Sequence, residues 1–139
     1  MMKVTLAQEE DDDFDAFLLE QIVRNDMRRQ ALPQGDFPLT IAISDADGKR
    51  CGGLSAETYY EWMRIKLVFV PQQLRGQGYG TRLLAMAEAE ARRLHCTGIW
   101  LDTFSFQAPD FYAALGYRLF GSIADYPAQA RRCFMEKRL

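Results

Sequence analysis

Three glycines at alternate positions, Gly76, Gly78 and Gly80, stand between Arg75 and Thr81. Residues of these types at this spacing handle anions, because a glycine backbone can curl round a phosphate with no Cβ to block the approach. The elements that must position them flank them directly. Upstream, Leu67-Val68-Phe69-Val70 is an apolar, partly β-branched run that stops at Pro71, which cannot donate to a sheet ladder. Downstream, Leu83, Leu84, Ala87, Ala91 and Leu94 recur at helical spacing, with Glu88 and Arg92 placed as an i,i+4 pair. Strand, glycine turn and open helix start together make an anion site. The first helical N–H groups have no intrahelical partner, and the helix dipole adds partial positive charge there.

The pattern narrows the ligand only in part. A Walker A loop needs Gly-x-x-x-x-Gly-Lys-Ser/Thr, and Thr81-Arg82 after Gly80 does not supply it. A dinucleotide fingerprint needs Gly-x-Gly-x-x-Gly, and here the third glycine comes one residue early. Asp102 nevertheless lies near the distance expected of a ribose-binding acid. By themselves the glycines fit a plain tight turn equally well.

With 139 residues, 48% apolar and 26% charged, the chain has the size and composition of one soluble globular domain spanning residues 1–139. Seventeen basic residues against 19 acidic ones give a net charge of -2, and no basic run argues for a nucleic-acid partner. The apolar stretches are too short to span a membrane, and the acidic residues close to Met1 do not fit a signal peptide. Cys51, Cys96 and Cys133 are odd in number and far apart, and His95 is the only histidine. This argues against a zinc site or a disulfide framework and for a cytoplasmic protein. His95 and Cys96 are neighbours at a predicted helix end, where a histidine suits the dipole and a Cys/His nucleophile pair is a poor fit.

Taken in order, residues 3–7 read as a first strand. A helix follows, with acidic residues at its start, Phe14, Phe17, Leu18 and Ile22 on one stripe, and Arg28-Arg29 near its end. Leu32-Pro33-Gln34-Gly35 reads as a loop. Residues 39–44 alternate as a strand, and Asp47-Gly48 turns the chain into a second strand over 50–60. Gly52-Gly53 inside it predicts a bulge or a close backbone approach. An antiparallel return over 62–70 reaches the glycine turn. The helix over 79–95 and a buried strand over 98–103 then form a crossover that makes the two strands parallel. A short helix over 108–115 has Pro109 in its first turn and Gly116 at its stop. Strands over 117–123 and 132–137 close the chain.

Arg75-x-x-Gly78-x-Gly80 after this strand resembles the acetyl-CoA pyrophosphate loop of the GNAT superfamily of N-acetyltransferases, Arg/Gln-x-x-Gly-x-Gly/Ala. Phe111-Tyr112-Ala113-Ala114-Leu115-Gly116-Tyr117 is similar to the second GNAT motif and stands at the family's distance from the loop. The predicted order β-α-βββ-α-β-α-ββ also fits. The resemblance thus implies an α+β fold, a single GNAT-type domain whose central mixed sheet of about seven strands is flanked by helices.

The resemblance also implies roles. Main-chain groups of Val68, Phe69 and Val70 pair with the pantetheine arm like an added strand. The amides of Gly76, Gln77, Gly78, Tyr79, Gly80 and Thr81 hold the pyrophosphate, with Gly78 and Gly80 keeping ligand space clear. Arg75 and Arg82 are charged candidates for the phosphates. Where the family often has an asparagine touching the cofactor arm, this chain has Ser105, with Gln107 two residues on.

Acetyl transfer to an amine poses two proton problems. An ammonium with a pKa near ~10.4 is neutral in only roughly one molecule in a few thousand at pH 7, so a base must act. The departing thiolate needs a donor, and Tyr112 matches the family's tyrosine acid. Glu57 and Glu61, which alternation puts on one strand face, and Asp102 are the candidate bases. Tyr59, Tyr60, Trp62, Phe104 and Phe106 are shared between an acceptor pocket and the core.

The implied activity is transfer of acetyl from acetyl-CoA to a primary amine by direct attack in a ternary complex, with no metal. The acceptor is an amine-bearing small molecule or protein, and a homodimer is compatible with the scaffold. A non-catalytic acyl-CoA-binding sensor is the alternative. A nucleotide-dependent oxidoreductase is disfavoured by the early third glycine and the antiparallel strands before it.

Overall fold

The computed structural model describes residues 1–27 and 37–139. The chain divides into two compact units, Met1–Pro33 and Gln34–Leu139.

In the first unit, helix α1 spans Asp12–Met27. Its start is fixed by Asp11, whose Oδ1 accepts the Phe14 amide at 2.9 Å, and Asp12, Asp13 and Asp15 complement the dipole. Glu20 and Arg24 pair at i,i+4 across 2.8 Å. The strand expected over residues 3–7 does not form. Those residues are exposed coil, and a strand with no ladder partner is not stable in water. Arg28-Arg29 and the loop at Leu32-Pro33-Gln34-Gly35 lie outside the described residues.

The second unit holds a six-stranded mixed sheet in the order β1-β2-β3-β4-β6-β5. Its strands are β1 Phe37–Ser44, β2 Arg50–Tyr59, β3 Trp62–Phe69, β4 Gly98–Phe104, β5 Arg118–Ala124 and β6 Arg131–Arg138. Helix α2, Tyr79–Arg93, joins β3 to β4, and α3, Pro109–Ala114, precedes β5. Among the described residues the sheet thus has six strands, where about seven were expected. The missing one is the strand that residues 3–7 do not make.

The β1–β2 hairpin closes through Asp45, whose Oδ1 accepts the amides of Asp47 and Lys49 at 2.9 Å each. At Gly52-Gly53 the chain makes a close approach and has an irregularity of register beside it. A Cβ on Gly52 would stand 2.7 Å from the Phe69 carbonyl oxygen. The register shift itself falls beside it, where Ile43 pairs with Gly52 and Ser44 with Arg50.

One face of the sheet is the core. Leu54, Ala56, Met63, Ile65, Ile99, Leu101 and Met135 are buried in one cluster with Leu83, Leu84, Ala87 and Ala91 of α2. Full burial of a side chain such as Leu84 stabilises by about 1.5–3 kcal/mol. Glu88 belongs to the same buried stripe, so it does not pair with Arg92. Its carboxylate accepts from the Tyr117 hydroxyl at 3.1 Å and the Lys137 ammonium at 3.0 Å, and Lys137 also donates to the Leu115 carbonyl at 2.9 Å. This network ties α2 to the segment after α3 and to β6. Burial, reinforced by Glu88, pushes the Tyr117 phenol far above its ordinary range.

Candidate active site

Strands β3 and β4 are parallel and paired only at Trp62–Gly98, Met63–Ile99 and Arg64–Trp100. Beyond Arg64 they separate. β3 goes on pairing with β2 as far as Phe69, and β4 with β6 as far as Phe104. The edge of β3 that faces β4 over Val68 and Phe69 is therefore an open strand edge inside the sheet. A bulge marks the divergence, since Ser55 pairs with Leu67 and Ala56 with Ile65, leaving Lys66 as the extra residue.

A cavity of about 540 Å³ opens beside this edge. Val68, Phe69 and Val70 form one wall, and Arg75, Gly76, Gly78, Tyr79, Gly80 and Thr81 form the mouth. The turn leaves Pro71 through a single 3-10 turn, Gln72–Leu74, and Arg75 Nε donates to the Val70 carbonyl at 2.9 Å. Arg75 thus clamps the loop while its side chain borders the cavity. Gly76 (φ +75°) and Gly78 (φ +88°) adopt the left-handed conformation that favours glycine, and a Cβ on either would meet nothing within 4 Å. The first helical bond runs from the Arg82 amide to the Gly78 carbonyl at 3.0 Å, and no side chain caps the helix. The amides of Tyr79, Gly80 and Thr81 therefore face the mouth without intrahelical partners.

Gly80 does something different from what the sequence led us to expect. A Cβ there would sit 3.0 Å from the Phe111 ring, so its smallness serves helix-to-helix packing and not open ligand space. Gln77 is exposed and spends its side chain on the Gln73 carbonyl at 3.1 Å. Arg82 lies over the Tyr79 ring and borders a separate cavity with Ile41 and Met86. Ser105 is outside the cavity, where its hydroxyl accepts the Arg131 amide at 2.9 Å. Leu74 and Phe111 complete the lining. Phe111 belonged to the aromatic motif, but nothing in its spacing marked it as a wall residue.

A second cavity, about 390 Å³, lies along the same divergence and is lined by Arg64, Lys66, Asp102, Thr103, Gln107 and Arg132 among others. Val68 and Tyr112 line both cavities. Tyr112 is brought there by α3, which Pro109 starts and Gly116 (φ +94°) stops. Its ring sits edge-on to Phe111 and Tyr117, and burial raises the phenol above its ordinary pKa. The proton is therefore held at neutral pH, and no hydrogen bond to a described residue engages the hydroxyl.

The candidate bases separate. Asp102 lines the second cavity but is bound by Arg132, 2.7 Å from Nε and 2.6 Å from an Nη atom. Arg132 also donates to the Tyr126 hydroxyl at 3.1 Å and lies over the rings of Phe104, Tyr126 and Phe134. Glu57 stands opposite Arg64 across the β2–β3 pair, 3.6 Å away. Glu61 does not share a strand face with it. The chain turns between them, and Glu61 sits in that turn at φ +68° with its carbonyl accepting the Thr97 amide at 2.7 Å. It therefore lies at the far end of β3, roughly 26 Å of chain from Phe69. Glu61 is set aside as a base on this ground.

Of the aromatic cluster, Phe104 reaches the second cavity. Tyr59 and Tyr60 pack on each other at the distant turn, and Trp62 covers Gly98. Gln107 does line the second cavity, but its Oε1 accepts from the Thr103 hydroxyl at 3.3 Å and the Phe104 amide at 3.0 Å.

The pairing that decides the family is a splayed parallel strand pair closed at one end by an uncapped, glycine-led helix. Residues 4–117 match the acetyltransferase (GNAT) family. The chain belongs to the GNAT family. It is 44% identical over 94 residues to blasticidin-S acetyltransferase of Streptomyces morookaense, covering 65% of this chain and 69% of that one. A crystal structure of an Agrobacterium tumefaciens protein assigned to the acetyltransferases superposes with a TM-score of 0.91 at 31% identity, over 99% of this chain and 100% of that one. An aminoglycoside 6'-N-acetyltransferase complexed with coenzyme A shares the fold, with a TM-score of 0.63 at 18% identity over 73% and 72% of the two chains. This GNAT protein is thus an acetyltransferase by family. Among the described residues, no helix is long and apolar enough to cross a membrane, and no cluster of three or more His, Cys, Asp or Glu could hold a metal. Cys96 is buried, which raises its thiol pKa, and His95 is an exposed left-handed residue just after α2.

Proposed function

We propose that the protein transfers an acetyl group from acetyl-CoA to a primary amine by direct attack in a ternary complex, with residues 1–139 working as one N-acetyltransferase domain. The observation that carries this reading is that two cavities on one divergent strand pair meet at Val68 and Tyr112. One cavity suits a phosphate-bearing donor and the other an acceptor.

The residues of the first cavity fit acetyl-CoA. The open space over Gly76 and Gly78, with the unpartnered amides of Tyr79, Gly80 and Thr81, receives a diphosphate. The free edge over Val68 and Phe69, continued by Val70, whose carbonyl Arg75 already engages, receives the amides of the pantetheine arm in the manner of an added strand. When bound, acetyl-CoA supplies an activated thioester. Arg75 keeps the loop in register through Val70. Tyr112, kept protonated by burial, hands its proton to the departing sulfur as general acid.

Asp102 is committed to Arg132, so the acceptor's proton leaves to water, with Glu57, beside the wall residue Arg64, as the nearest remaining candidate base. The cations in the wall assist, because a positive field disfavours an ammonium and raises the share of neutral, nucleophilic amine.

Thiol release from acetyl-CoA, followed across a panel of amines, tests the proposal. Amine-dependent release supports it. CoA binding with no amine-dependent release marks an acyl-CoA sensor instead, and no CoA binding at all overturns the cavity assignment.

A further inference from the structure

The charges lining the second cavity do not cancel. Arg132 is satisfied by Asp102, Tyr126 and three aromatic rings. Arg64 is not. Its nearest carboxylate, Glu57, stands at 3.6 Å, beyond hydrogen-bond length, and its buried Nε has no partner among the described residues. Its guanidinium lies over the Trp100 ring, which fixes the plane of the fork. Lys66, thrust out by the bulge, is exposed on the rim and pairs with no described residue. Three cations thus face one carboxylate, Asp102, which Arg132 already holds, and Arg64 and Lys66, neither of them hydrogen-bonded to a carboxylate among the described residues, sit together on β3.

From this we infer that the acceptor carries an oxyanion, a carboxylate or a phosphate, beside its reactive amine, and that Lys66 and Arg64 seat that oxyanion. The inference rests on the acetyl-transfer reading and names its acceptor class. Planar guanidinium donors match both oxyanions, and the adjacent ammonium adds a point charge. A polycationic amine meets the opposite field and is selected against.

The experiment measures kcat/KM in matched acceptor pairs: amino acids against their carboxamides, and phosphoethanolamine against ethanolamine. Binding of CoA is measured separately by calorimetry. The anionic member is expected to win each productive pair by about tenfold or more. Which of the two series responds identifies carboxylate or phosphate. Lys66→Glu is expected to collapse that preference and Lys66→Arg to keep it, while Lys49→Glu, in the exposed hairpin turn, changes charge equally and leaves the preference alone. Equal or better use of the neutral members overturns the inference, as does a preference that survives Lys66→Glu. A silent panel with CoA still bound also overturns it and leaves the donor site standing. A silent panel without CoA binding overturns the acetyl-transfer reading itself.

Discussion

The two cavities that share Val68 and Tyr112 are built from different material. The larger is framed by main chain, with a free strand edge, two left-handed glycines and helix amides that nothing caps. The smaller is framed by side chains from β3, β4 and β6 with one glutamine between β4 and α3, most of them polar or charged and several already engaged with each other. Main chain recognises a ligand common to a whole family, because its groups are the same whatever the side chains become. Side chains recognise what varies, and on the proposed reading they carry the acceptor's chemistry. Substitutions in the two regions should therefore fail in different ways.

The largest effect is expected from Gly78→Asp. It places a side chain and a negative charge in the open mouth at φ +88°. Two charge-assisted bonds lost at about 1.5–3 kcal/mol each weaken CoA binding by about a thousandfold, measured by calorimetry. Unchanged CoA affinity would break the contrast between the cavities at its root. Tyr112→Phe addresses the point where they meet. It should lower kcat by about a hundredfold, the low end of general-acid catalysis, with CoA affinity retained. Turnover that survives intact would reduce Tyr112 to a packing residue.

Gly80→Ala sharpens the comparison, because its Cβ would press on Phe111 and not on ligand space. Overpacking should cost about 1–3 kcal/mol in chemical denaturation and displace α3. The predicted signature is reduced kcat with little change in CoA affinity, the reverse of Gly78→Asp. The smallest effect is a flat one. Burial raises the Tyr112 pKa, so its protonated form persists to higher pH than an ordinary phenol, and kcat should not fall on the alkaline side below pH ~10. An earlier fall would mean that another group supplies the proton.

Legibility in the sequence followed locality. The strand before Pro71, the glycine turn and the stripe on α2 could be read because each depends on neighbours a few residues away. The same rules misread Glu88, whose i,i+4 partner Arg92 was plausible for an exposed helix face. The buried stripe claims it for Tyr117 and Lys137 instead. Residues 3–7 carry strand-like types but find no ladder, and Gly80 was assigned to the ligand because its contact with Phe111 spans 31 positions. Glu57 and Glu61 were joined by counting alternation through a turn that reverses the chain.

The sequence by itself determined the first cavity: a contiguous stretch whose backbone freedom, open helix start and preceding strand suit an anion wherever they fold together. Only the tertiary structure decided the second cavity. Arg64, Asp102 and Arg132 come together because β3 and β4 stop pairing after Arg64 while β6 continues alongside β4. A one-residue bulge throws Lys66 out of register on the rim. Strand divergence and bulges are set by pairing between distant segments, and no local pattern of residues encodes them.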